Sequence, residues 1–223
     1  MPDATVTAQH PLAPVLRDAA QGAWPAPDGA WELLPAWRHG VSAIVALTGR
    51  AYVCSDRDLS APELTALGCD GFGGATLPAV VQHVAGPDAW IDCLDVLLIG
   101  RGRGTGGRLV PRADLADEPR ARNARRSRST PEILGYAEAS RRDLVTVATG
   151  LAGLREIGVE AAEPGRGATL FADALDALPA GEPVVAGVAP GNARSLRSAL
   201  RAGFAIIGSV QIIVHPATGP GAS

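Results

Sequence analysis

Between Leu154 and Phe204 the chain reads strand, glycine turn, helix, strand, helix without a gap, and no other stretch restricts the fold as tightly. From Leu154 to Ala162, Ile157, Val159 and Ala161 are apolar while Glu156, Gly158 and Glu160 lie between them. That period of two predicts a strand with both glutamates on one face. Pro164-Gly-Arg-Gly-Ala-Thr169 follows and leads into Leu170, Phe171, Ala174, Leu175 and Leu178, an apolar stripe at helical spacing. Val184 to Ala189 predicts a short buried strand, and Asn192 caps a helix through Ala202 that Gly203 ends. A glycine turn at a helix start presents free N–H groups and the positive end of the helix dipole. The first functional expectation is therefore a ligand carrying phosphate or pyrophosphate.

Gly165-Arg166-Gly167-Ala168 after a strand, and Asn192, Ser195, Arg197 and the terminal Gly203-Phe204, resemble the GNAT acetyltransferase family. The resemblance covers roughly residues 110–215. It implies an α/β fold with a mixed, mostly antiparallel sheet flanked by helices, and an acetyl-CoA-dependent N-acetyltransferase acting on a small-molecule or peptide amine. It also implies that backbone groups of Val159 and Ala161 pair with the pantetheine arm, that the N–H groups of Gly165, Arg166, Gly167, Ala168 and Thr169 hold the pyrophosphate, and that Asn192 and Ser195 face the cofactor. Glu156 or Glu160 would accept the amine proton through water, or be no more than the solvent face of the strand. Ser195, Ser209, His215 or water would return a proton to the leaving thiolate. Pro164 and Thr169 stand where the family loop carries Gln or Arg and Gly or Ala, and Ala199 stands where the helix often carries a tyrosine. The alternative is thus a module that binds acetyl-CoA without transferring the acetyl group.

Residues 1–109 show no such likeness and read as an N-terminal α/β region, either a separate cap or a degenerate copy of the same fold; 110–216 would be the acetyltransferase domain and 217–223 a frayed tail. In the first part, three tryptophans among prolines at 23–38 predict an irregular segment pinned by aromatics. Val41 to Ser55 predicts a hairpin, Ser60-Ala-Pro-Glu63 a helix start, Leu77 to Val84 a helix, and Leu94 to Ile99 a buried strand that the later domain could borrow as its first. Gly100 to Arg108 contains Gly102, Gly104 and Gly107 at the Gly-x-Gly-x-x-Gly spacing, but Pro111 follows where a dinucleotide fold needs a helix. A flexible loop is expected there. Asp114 to Arg128 predicts an amphipathic helix with a solvated basic face, residues 132–162 a three-strand meander, and 205–207 and 210–214 two last short strands.

Composition sets the remaining limits. The formal net charge is −3 with 20 basic residues, all arginine, so no global field draws the chain to nucleic acid or an anionic membrane. An arginine-rich nucleic-acid contact is a remote alternative, since the segment around Arg120 to Arg128 has no aromatic to stack on a base. Three cysteines without metal-ligand spacing predict reduced thiols and no metal site. The lack of a long apolar run or basic leader predicts a cytoplasmic protein.

Overall fold

The structure is a computed structural model that describes residues 9–216. Its strands are β1 (Trp31–Leu34), β2 (Val41–Leu47), β3 (Arg50–Cys54), β4 (Trp90–Arg101), β5 (Val110–Pro111), β6 (Ser129–Gly135), β7 (Leu144–Thr149), β8 (Arg155–Glu160), β9 (Pro183–Val188) and β10 (Ala205–Val214). They form one sheet in the order β1-β3-β2-β10-β4-β9-β8-β7-β6-β5. β1 with β3 and β8 with β9 run parallel, and every other neighbouring pair is antiparallel. This is the mixed, largely antiparallel α/β architecture that the sequence predicts.

Among the described residues six helices cover both faces: α1 (Leu12–Ala19), α2 (Ala61–Ala66), α3 (Pro78–Ala85), α4 (Pro119–Ser127), α5 (Gly167–Asp176) and α6 (Ala193–Ala202). Strand alternation sorts the core between them. Val184 and Ala186 join Leu98, Val145, Val147 and Ile157 beneath α5 and α6, whereas Val185 turns to the other face with Val45, Leu47, Leu97 and Ile99 against α1. α2 and α3 bury Ile44, Val53 and Ile213, and α4 packs Ala121 on Leu144.

Several local expectations change in the folded chain. The tryptophan segment contains a strand, because Trp31 to Leu34 pairs in parallel register with Ala51 to Cys54. α1 escaped the pattern reading; its Pro14 lies in the first turn, where a missing N–H costs little. Leu94 to Ile99 belongs to β4 in the interior of the sheet, between β9 and β10. The last two strands are one, β10, which keeps pairing through two bulges.

The glycine loop after β4 is ordered. The N–H groups of Arg103, Gly104 and Gly106 donate to the carbonyls of Leu175, Leu178 and Asp176, at and just past the C-terminal end of α5. A side chain at Gly102 would lie 2.1 Å from the carbonyl oxygen of Pro179. These glycines let the backbone close on a helix end, where the N–H groups of Gly104 and Gly106 are spent, while that of Gly102 donates to the Glu182 carbonyl. Residues 217–223, expected to be a frayed tail, lie outside the described residues.

β10 ends in a polar relay. His215 Nε2 lies 2.8 Å from Ser42 Oγ, which is 2.8 Å from Ser55 Oγ, and a further hydrogen bond joins the ring to the backbone of Ala85. Burial lowers the His215 pKa, nearby Arg57 lowers it further, and Asp56 opposes them. A depressed folded pKa favours the neutral ring, so the stability it contributes is complete above the unfolded value and is lost as pH falls through the folded one. Wild type should therefore lose Tm relative to His215→Gln as pH drops from about 7 to about 5. Parallel curves over that range would remove this role.

Candidate active site

The parallel pair β8 and β9 stays together only at Arg155 with Val184 and Glu156 with Val185. Beyond that point both strands continue and separate. β8 is held along its outer edge by β7 as far as Glu160, and β9 by β4 as far as Val188. Their facing edges therefore part within an otherwise closed sheet. A cavity of about 670 Å³ fills the wide end, lined by Val159 to Gly165 and the first residues of α5 and α6. A smaller one of about 160 Å³ continues it to the other face. The two share Arg120, Val159, Phe171, Asn192 and Ser195, so they adjoin and form one passage along the gap between β8 and β9.

The wide end is built to take negative charge. Gly165 has φ +87°, a turn that glycine adopts without strain, and α5 begins at Gly167. Among the described residues, the N–H groups from Gly165 to Thr169 meet no protein acceptor. Asp143, buried at 2% side-chain exposure, holds the loop in place: it accepts from the Ala162 N–H at 3.0 Å and faces Arg141 and Arg166. Asn192 accepts from the Ser195 N–H at 3.1 Å and caps α6, whose Arg194, Arg197 and Arg201 line the same cavity. The wide end thus gathers free N–H groups, two helix N-termini and three arginines, a combination that suits an anion.

The two glutamates of β8 have different fates. Glu156 is buried; one carboxylate oxygen accepts from Arg128 Nε at 2.6 Å and the other from the Leu151 N–H at 3.1 Å. It serves as the counter-ion of a buried arginine where the strands begin to part. Glu160 is exposed at the wide end, with Arg120 Nε 3.9 Å away. Val159 lies on the opened stretch of β8 and Ala161 just beyond its end, and both line the wide cavity with Gly165, Gly167, Ala168, Asn192 and Ser195. Arg166 caps the start of α5 and reaches Glu163 at 3.3 Å, and Thr169 is exposed on its first turn.

The candidate proton donors also separate. Ser195 lines both cavities, whereas His215 lines a different one with His39, Asp56 and Arg57. Ser209 sits within β10 and lines neither part of the passage, and Ala199 is packed in the core beneath α6. Of the basic row, Arg125 donates to the Ala116 carbonyl, Arg122 to that of Asp117, Arg126 stacks 4.5 Å over Trp90, and Arg128, just past the end of α4 and 16% exposed, pairs with Glu156. Arg122, Arg125 and Arg126 stay exposed, so the basic face is solvated as expected while the guanidinium ends rest on neighbouring carbonyls and on Trp90.

Sequence reading missed the residues that β4 brings to the narrow end. Asp92, Cys93 and Asp95 line it with Asn123 and Arg128. The available signal was a carboxylate inside a strand that otherwise reads as buried. Burial raises the Asp95 pKa, and Cys93, held 3.3 Å from Asp95 Oδ1, is pushed up to about 12 by burial and by this carboxylate.

No protein-family model matches the chain, and no curated protein matches it in sequence. A solved structure from Novosphingobium aromaticivorans, assigned to the GNAT family of acetyltransferases, matches with 16% identity and a TM-score of 0.40, over 59% of this chain and 69% of that one. A superposition of that extent describes a partial likeness of fold and says nothing of activity or substrate. Among the described residues, no helix is long and apolar enough to cross a membrane.

Proposed function

We propose that this protein is an acetyl-CoA-dependent N-acetyltransferase acting on a small-molecule or peptide amine. The observation that supports it most is the parting of β8 from β9 beside a loop with unpaired N–H groups, which combines an anion site with a slot between open strand edges. Gly165 to Thr169 and the arginines of α6 would hold the pyrophosphate. The open edge of β8 at Val159 and Ala161 would pair with the pantetheine arm, while Asn192 and Ser195 flank it from α6. The bound thioester supplies the acetyl group. On this reading residues 110–216 carry the cofactor site, and β4 adds the wall at its far end. Ser195 or water would protonate the departing thiolate.

A second reading keeps the ligand and drops the chemistry. It is favoured by Ala199, which is buried and offers no proton to the passage. Thermal unfolding with acetyl-CoA and a panel of amines separates the two. Ligand at about 100 times its Kd should add about 2.7 kcal/mol of stability. Release of CoA with at least one amine supports transfer, stabilisation without release supports the binding module, and absence of stabilisation at saturating ligand rejects both.

A further inference from the structure

On the acetyl-transfer reading, we infer that Asp95 receives the acceptor as a cationic amine at the narrow end of the passage and takes its proton. The two ends differ in chemistry. The wide end presents N–H groups and arginines to phosphate, and the narrow end presents two carboxylates, Asp92 and Asp95. A ligand with its phosphates on the glycine loop reaches Asp95 only by lying in the gap between β8 and β9. The acceptor then enters from the opposite face, and the two substrates meet inside the sheet.

The position of Asp95 is specific. Its Oδ2 lies 2.6 Å from where a side chain at Gly187 would begin, so the bare backbone of β9 lets the carboxylate reach the gap. Among the described residues no cation stands within ion-pair distance of it, and its side-chain hydrogen bond comes from the Cys93 thiol. The charged and titratable groups around it are Asp92 and Cys93 on β4, Arg128 after α4, and Glu156 on β8, with Arg120 on the same cavity. Glu156 neutralises Arg128 through the buried pair. Asp92 and Asp95 are left facing a half-buried space, which selects an ammonium over a neutral or anionic acceptor.

The proton balance is complete. Asp95 takes one proton from the ammonium; the amine nitrogen forms a bond to the thioester carbonyl carbon as the carbon–sulfur bond breaks. The second proton of that nitrogen goes to the thiolate, and Asp95 releases its own to solvent. Partial burial moves the carboxyl toward working pH, which suits a general base. Of the other carboxylates, Glu156 is bound to Arg128 and Glu160 lies at the cofactor end.

The test is Asp95→Asn in the full chain, after acetyl-CoA binding and CoA release have been measured on wild type. Turnover of an accepted amine at pH 7 should fall about 10²- to 10⁴-fold with the acetyl-CoA Kd unchanged. The deficit should shrink above the pKa of the amine, where solution supplies the free base. Stability gives an independent readout. A carboxyl with a raised folded pKa contributes stability below its unfolded pKa and loses it as pH rises through the folded one, so Asp95→Asn should raise Tm at pH 7 and lose that gain below about pH 4. Turnover within about threefold of wild type overturns the inference. So does a fall in Tm that accompanies lost turnover, which marks a structural carboxylate, or a loss confined to Glu160→Gln. A wild type that binds acetyl-CoA but acetylates no cationic amine overturns it while leaving the cofactor site standing, and a wild type that does not bind acetyl-CoA removes both.

Discussion

Arg128→Met is expected to cost about 3–5 kcal/mol of folding stability, the usual penalty for stranding one member of a buried ion pair. Glu156 is 7% exposed, and its carboxylate accepts from Arg128 and from the Leu151 N–H. Gly150 makes room for it, because a side chain there would begin 1.9 Å from Oε2. Without Arg128 the carboxylate keeps only the Leu151 N–H as a partner among the described residues. Combining Arg128→Met with Glu156→Gln removes the orphaned charge, so the double variant should recover much of the loss. Denaturant unfolding measures both, and a single-variant loss below about 1 kcal/mol would mean that the pair is solvated and weak. The same contacts bear on chemistry. Glu156→Gln should unfold the protein more easily, which separates a structural loss of activity from the loss of a base.

Gly167→Asp should weaken acetyl-CoA binding about 10²- to 10⁴-fold, as expected from losing two hydrogen bonds to a charged group at roughly 1.5–3 kcal/mol each. Gly167 opens α5 beside the free N–H groups and lines the wide cavity. An aspartate there adds a like charge against the phosphates. Gly167→Ala is the control for bulk, since its added carbon would meet the Ser198 side chain at 2.9 Å, a hydroxyl on a half-buried turn of α6 that can move. Titration calorimetry on folded protein distinguishes the two. Equal affinity in Gly167→Asp and wild type removes the pyrophosphate site.

Most of the local structure was legible in the sequence because it rests on short-range rules. The alternation at 155–160, Ser60 capping α2, Asn192 capping α6 and Gly203 ending it each depend on neighbours a few residues apart. The glycine turn before α5 was legible for the same reason. Misreadings arose where a distant partner decided the outcome. Gly102 to Gly107 have the composition of a mobile or phosphate-binding loop, and only the folded chain brings the end of α5 and the Glu182 carbonyl within reach of the N–H groups of Gly102, Arg103, Gly104 and Gly106. Trp31 to Leu34 becomes a strand because β3 offers it an edge.

For the candidate site, the sequence by itself determined the glycine-loop end: a strand, a glycine turn and a helix start are contiguous, and the free N–H groups follow from helix geometry. It also determined that Glu156 and Glu160 share a face. Tertiary structure decided what those side chains are free to do. Arg128, 28 positions from Glu156, claims one carboxylate, and β4, inserted between β9 and β10, carries Asp95 to the gap from about 60 positions away in the chain. Period and capping are properties of consecutive residues; ion pairing and strand insertion depend on which distant surfaces the folded chain brings together.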